Sequence, residues 1–284
     1  MEKIAVVTDT GSNLSFAQAK ELGIYLLPLQ ITIDETTYQD TLEISTQDIY
    51  KELANGKMPK TSMAAYQKIY DLFEELKKEY DTVFAIPLTN GLSTNASTMQ
   101  SIARELEMNV HVIDMYATCA LEKHVAIWIK KLVDEHKSSE EILKIIQPAI
   151  DESNSLILVK NLQHLKRGGR LTPMAAALAG LLKIYPVLHI NKSTEGRIDV
   201  LNKVRTEKRA DAYAIDKIMD DIDIQHTHIY IIHSNFLEGA DHFKKCFIEK
   251  GVPEQNIHID YISSVIAVHT GLGCIAIQYI REEN

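Results

Sequence analysis

The 284-residue chain is poor in cysteine (three), tryptophan (one) and proline (seven). Cys119, Cys246 and Cys274 are odd in number, form no CxxC pair and have no histidine at metal-ligand spacing, so neither a disulfide framework nor a zinc site is expected. The eleven histidines are scattered: His226, His228 and His258 complete no HExxH-like set, so no metal and no cofactor are expected. No apolar run is long enough to span a bilayer. The opening MEKIAVVTDT has an early acidic residue and an apolar stretch, Ile4 to Val7, of strand length, so neither export nor stable membrane insertion is expected and the expected compartment is the cytoplasm. Positive charge is also in short supply. With 30 Lys and Arg against 39 Asp and Glu, the net charge is -9, which argues against a general nucleic-acid binder, because neutralising phosphates needs a basic face.

What the chain does have is apolar material, 45% of its residues, arranged in alternating short runs and amphipathic stretches. Strands are expected at Ile4–Val7, Tyr25–Ile33, Thr82–Ile86, Val110–Ile113 and Leu156–Val159. Helices are expected at Phe16–Leu22, Asp48–Ala54, Ala64–Tyr80, Thr98–Leu106, Leu121–Val133 and Glu140–Ile150. Strands separated by helices imply a parallel sheet. After residue 160 the texture changes. Val187–Ile190 and Arg197–Val204 flank NKSTEG as a hairpin, followed by helices at Glu207–Asp221 and Ala240–Lys250 and strands at Ile229–His233, Ile257–Tyr261 and Ile275–Ile280. The expected fold is α/β with two domains: an N-terminal parallel α/β sheet with flanking helices over 1–160, and a C-terminal α+β mixed sheet over 161–284, with the ligand between them.

Hydroxyl-rich loops follow several strands, where parallel α/β sheets place ligands. TDTGSN, PKTS and NGLSTNAST offer Thr10, Thr61, Ser62 and Ser93 near helix N-termini, where backbone N–H groups favour an anion; an ordinary N-cap accounts for each one singly. HTGLG at 269–273 adds His269 and two glycines before an apolar strand. HLKRGGRLT at 164–172 sets Lys166, Arg167 and Arg170 around Gly168 and Gly169, but lacks the GxxxxGK[ST] spacing of a phosphate cradle. Met174 to Leu182 is apolar on every face and rich in small residues. It reads as a covered helix leaving room for something long and apolar.

GLSTN also approaches the nucleophile elbow GxSxG, with Ser93, Asp114 and His269 in the chain order of α/β-hydrolases. A serine hydrolase of lipase or esterase type is therefore the alternative. Against it, Asn95 replaces the closing glycine, and Thr89 to Gly91 separate Ser93 from the strand.

Taken in order, TDTGSNL, PKTS, GLS, LKRGGRL, KVRT and HTGLG resemble the DegV family of fatty-acid-binding subunits that work with a separate fatty-acid kinase. The resemblance spans nearly the whole chain. It implies a protein that holds a long-chain fatty acid in an apolar tunnel and presents its carboxyl group for phosphorylation to acyl phosphate, serving phospholipid synthesis without itself catalysing the step. On the matching positions, Ser62 and Ser93 are the implied carboxyl-binding hydroxyls, with Thr61 and His269 as companions. Arg170 and Arg205 match positions associated with docking the kinase, and Lys166 adds charge to the same surface. The chain departs from the family where Thr94 and NAST follow GLS, and where DMYATCALE (Asp114 to Glu122) puts Met115 and Cys119-Ala120 in place of small polar or glycine positions. These changes bear on the head-group wall near Asp114.

Overall fold

The computed structural model describes residues 2–181 and 183–282. The first half runs β1 (Ile4–Asp9), α1 (Phe16–Leu22), β2 (Tyr25–Leu27), β3 (Gln30–Ile33), β4 (Thr36–Gln39), α2 (Thr46–Ala54), β5 (Lys60–Ser62) and α3 (Tyr66–Leu76). It continues through β6 (Thr82–Ile86), α4 (Asn95–Glu105), β7 (Val110–Val112), α5 (Ala120–Asp134) and α6 (Ser139–Glu152). The second half runs β8 (Asn154–Leu158), α7 (Leu162–Gly168), α8 (Pro173–Leu178), β9 (Tyr185–Ile190), β10 (Asp199–Val204) and α9 (Glu207–Asp221). It ends with β11 (Thr227–His233), α10 (Leu237–Glu249), β12 (Ile257–Tyr261), α11 (Ser264–Thr270) and β13 (Ile275–Arg281).

The expected fold class is found. A four-stranded parallel sheet, β2-β1-β6-β7, carries the first half, and a six-stranded mixed sheet, β10-β9-β8-β13-β11-β12, carries the second. Helix ends follow local chemistry. Ser15 with Gln18 and Ser138 with Glu141 form capping boxes at α1 and α6, and Gly23 closes α1 in the left-handed region at φ 68°. Val187 to Val204 forms the expected hairpin, β9 antiparallel to β10 with a bulge between Val200 and Asn202.

Several segments differ from expectation, four of them in strand pairing or helix extent. The run Tyr25–Ile33 divides at Pro28, which lacks the N–H a continuous strand needs; β2 joins the parallel sheet, while β3 leaves for a small antiparallel sheet ordered β4-β3-β5. PKTS lies on β5 of that sheet, so Thr61 and Ser62 come from a strand and not from a helix N-terminus. The strand expected at Leu156–Val159 belongs to the mixed sheet, antiparallel to β13 and β9, because an apolar strand covered on both faces reads alike in either kind of sheet.

The apolar stretch after Thr172 is the fourth. It forms a helix only to Leu178, Gly180 turns at φ 96°, and Leu182 lies outside the described residues. Ala175 and Leu178 are buried, but Met174 and Leu181 are 63% and 52% exposed. The short helix packs on β10 without full cover, since alanines expose little apolar area and tolerate a surface position.

A continuous core joins the two halves. Val7, Ala85, Met99 and Ile102 of the first pack in one cluster with Ile157, Leu188, Ile232, Ile262 and Ala276 of the second. Tyr50 of α2 reinforces it by donating its hydroxyl to the carbonyl of Ile262 at 2.6 Å. Among the described residues no helix is long and apolar enough to cross a membrane.

Candidate ligand site between the sheets

A cavity of about 430 Å³ opens where the first half meets α11 and the loop after α7. Its rim is polar: Thr61 and Ser62 from β5, Ser93 and Thr94 before α4, Arg170, and His269 and Thr270 from the last turn of α11. Its floor is apolar, with Leu88, Leu92, Ile198, Val265 and Ile266. Beneath it, sharing Leu92, Ile198, Ile266 and Thr270, a narrow slot of about 20 Å³ runs between Ile157, Ile190, Ile232, Ile262, Cys274 and Ala276. The slot ends at Gln278, whose amide donates to the Thr118 carbonyl at 3.0 Å and Ser155 Oγ at 2.9 Å and accepts from the Ala120 N–H at 3.1 Å. That end is polar but self-satisfied, so it makes no demand on whatever fills the slot. The slot is lined mainly by isoleucines from strands, loops and α11, and no residue of α8, the small-residue helix that the sequence pointed to, lines it.

The rim residues are held in different ways. Thr61 Oγ1 and His269 Nε2 are 2.7 Å apart. His269 Nδ1 faces the Gly168 backbone, where an added Cβ would stand 3.0 Å from it. Burial, with Arg170 beside it, pushes the imidazole down to about 4, so it is neutral at physiological pH. Ser93 Oγ accepts from the Asn95 N–H at 3.2 Å and keeps its own proton available. Ser62, at the exposed outer rim, donates to Gln30 Oε1 at 3.1 Å. Arg170 Nη1 donates to the Gly168 carbonyl at 2.8 Å, and Nε reaches the Leu92 carbonyl at 3.5 Å. The guanidinium therefore sits at the rim, beside the hydroxyls.

Other expected residues fall elsewhere. Thr10 is fully buried, accepts from the Leu29 N–H at 3.1 Å and does not line the cavity. HLKRGGRLT is the end of a helix instead of a free loop: Lys166 and Arg167 occupy the last turn of α7, exposed, and Gly169 caps it at φ 74°. The glycine pair and the charges imitate a turn in the sequence and mask the helical period. Arg205 is exposed just after β10. Of Asp114 to Glu122, only Thr118 reaches the slot; Met115, Cys119 and Ala120 are core residues, so the unusual stretch repacks the interior. Leu92, Ile198 and Ile266, which line both the cavity and the slot, carry no signal in the sequence beyond being apolar.

The hydrolase arrangement is not assembled. Asp114 accepts from the backbone N–H groups of Asn90 at 3.1 Å and Tyr116 at 2.8 Å, while His269 pairs with Thr61. Among the described residues no carboxylate stands behind the imidazole and no bond joins it to Ser93, so Ser93 has no oriented base. Among the described residues no group of three or more His, Cys, Asp or Glu side chains could hold a metal ion.

The site is thus a polar-rimmed cavity beside an apolar slot in an α/β protein, with no catalytic triad assembled among the described residues. The family model described as "Uncharacterised protein, DegV family" matches residues 3–282, and the chain belongs to the DegV family. It is 32% identical to a DegV domain-containing protein of Halalkalibacterium halodurans, with both chains covered in full. Its fold matches the crystal structure of a fatty acid binding DegV family protein from Streptococcus agalactiae at TM-score 0.91 and 30% identity, covering 100% of each chain. DegV, a fatty acid binding protein from Bacillus subtilis, matches at TM-score 0.86 and 27% identity, covering 99% of this chain and 100% of its own.

Proposed function

We propose that this protein is a cytoplasmic carrier that binds a long-chain fatty acid, tail in the isoleucine slot and carboxyl group at the rim. The observation that carries the reading is the shared wall of the two spaces: Leu92, Ile198, Ile266 and Thr270 line both a mouth bearing hydroxyls, an imidazole and a guanidinium and the apolar slot next to it. Burying the tail contributes roughly 25 cal/mol per Å² of apolar surface. The carboxyl group loses water on entry and needs replacement donors, which an unpaired site would lack at a cost of several kcal/mol. Ser93 serves as direct donor, the Thr61 and His269 pair as the second wall, Arg170 as the compensating charge, and Ser62 as an outer contact.

The kinase role is part of the same proposal. The carrier presents the carboxyl group to a separate fatty-acid kinase and holds the acyl phosphate afterwards. Exposed Lys166, Arg167 and Arg205, with exposed Met174 and Leu181 following in the same segment, support a docking face. Basic groups on an acidic protein favour encounter and orientation. Arg170 belongs to both roles, since it stands at the rim. We further propose two domains, at 1–160 and 161–284, joined through β8 (Asn154–Leu158), which the first range contains and which pairs in the mixed sheet of the second.

Organic extraction of the purified protein followed by mass spectrometry tests the lipid reading; an empty protein that reacts with a fluorophosphonate at Ser93 would overturn it. Charge reversal at Lys166 and Arg205 should slow phosphorylation by the kinase without reducing retained fatty acid.

A further inference from the structure

The strands that wall the slot also wall a second cavity. Side chains alternate across a strand: Ile157, Cys274 and Ala276 face the slot, while Leu158 and Ile275 line a separate space of about 360 Å³ on the other side of the mixed sheet. This space lies past the carboxyl ends of β8 and β11, where the chain enters α9 and α10. Open α/β sheets favour that place for ligands. Tyr185, Pro186, Phe236 and Phe243 give it an apolar, largely aromatic lining.

Its charge is negative in excess. Glu207, Asp211 and Glu238 line it against the single ammonium of Lys160, with His242 nearby. Lys160 is engaged by Glu207, and its Nζ lies 4.8 Å from the centroid of the Phe236 ring. Asp211, one helical turn after Glu207 and half-buried, has no hydrogen-bond or ion-pair partner among the described residues. Burial pushes its carboxyl group up, and the nearby His242 and Lys160 offset this only in part. The helix N-termini would welcome an anion by themselves, but three carboxylates facing one ammonium reverse the preference. Phe236 shows the complementary chemistry already in use, an ammonium against an aromatic face.

We propose that this cavity is a second ligand site that takes a small primary or secondary amine bearing an aryl or branched alkyl group. Asp211 is the counter-ion of the ammonium, and Phe236, Phe243 and Tyr185 cover the apolar part. The site is separate from the lipid slot, and one thickness of sheet divides them.

Titration calorimetry and amide chemical-shift mapping of the full chain test the site, with 2-phenylethylamine as probe and 3-phenylpropionate as its counterpart of similar shape and opposite charge. The amine should bind saturably, shifting Ala210, Gly239 and Gly273 and leaving Leu92 and Ile266 in place, and the acid should not bind. Asp211→Asn should weaken the amine by roughly tenfold or more while the protein keeps its fold by circular dichroism; Phe236→Leu should weaken it independently. Equal binding of acid and amine, shifts confined to the lipid cavity, unchanged affinity in both variants, or no saturable amine binding below about 10 mM would each overturn the proposal.

Discussion

Gly196, in the hairpin loop of the second half, lies directly on Thr89, in the loop that carries Ser93: a Cβ added at Gly196 would stand 2.0 Å from Thr89 Oγ1. Gly91 meets the Gly196 backbone just as closely, its added Cβ falling 2.3 Å from the carbonyl. Two glycines thus let the hairpin press against the Ser93 loop, and Gly196 also needs its φ of 70°. The glycine in NKSTEG is a contact between the two halves as well as a turn residue.

Gly196→Ala should therefore cost about 2–4 kcal/mol, the sum of left-handed strain and overpacking, and should lower fatty-acid retention by displacing the Ser93 loop. Gly169→Ala is the control. Gly169 has φ 74° but nothing within 4 Å of an added Cβ, so only about 1 kcal/mol is expected. Urea unfolding of both variants, with lipid content by mass spectrometry, checks the difference.

His269 predicts a pH dependence. Its folded value, about 4, lies below the ordinary 6.5, so between these values the unfolded chain binds a proton that the folded protein refuses. Stability then falls as pH drops through that window, by an upper value of roughly 3 kcal/mol, lessened by the part of the ring open to the cavity. His269→Gln should flatten the acid limb of a stability–pH profile measured by urea titration. The loss of the Thr61 contact should appear separately, as weaker retention at neutral pH.

A buried carboxyl pair predicts the opposite slope. Asp9 accepts from the N–H groups of Gly11 and Leu88 at 2.8 and 2.9 Å and from Asn95 Nδ2 at 2.6 Å, so it is the member fitted to carry charge. Glu122 accepts from the Thr8 hydroxyl at 3.2 Å and otherwise faces Asp9, to which its protonated form can donate. Burial first, and then the neighbouring Asp9 charge, push Glu122 well above its ordinary 4.5. The folded state holds the extra proton, so stability is lost as pH rises from the ordinary glutamate value through the raised one. Glu122→Gln should match the parent near ~pH 5 and exceed it in alkaline solution, as read from urea midpoints across pH.

The elements most legible in the sequence were those with strong periodicity or capping. Helix α9 at Glu207–Asp221 and strand β6 at Thr82–Ile86 have the expected bounds, because each is a regular run between clear stops. The rim hydroxyls were legible as pieces of motif. Their geometry was not: Thr61 and His269 are 208 residues apart, and no local pattern encodes that meeting. The slot was illegible because isoleucines at 157, 190, 232 and 262 look like any core isoleucine until the sheet brings them around one space. Met174 to Leu182 misled for a related reason, since hydrophobicity without a partner surface does not say which face is covered.

The slot supplies the last prediction. It is narrow in this structure, about 20 Å³, so under the proposed function a tail would have to spread the side chains that line it, and those near Gln278 would set how far it penetrates. Ala276 is 7% exposed, lies on β13 between two strands of the mixed sheet, and faces the slot two residues before Gln278. Enlarging it blocks depth without touching the rim. Ala276→Leu should shift the retained fatty acids toward shorter chains by roughly two to three methylenes, each worth ~0.8 kcal/mol of burial. Mass spectrometry of extracted lipid from parent and variant measures the shift. An unchanged chain-length distribution in a folded variant would place the tail elsewhere and remove the slot from the binding site.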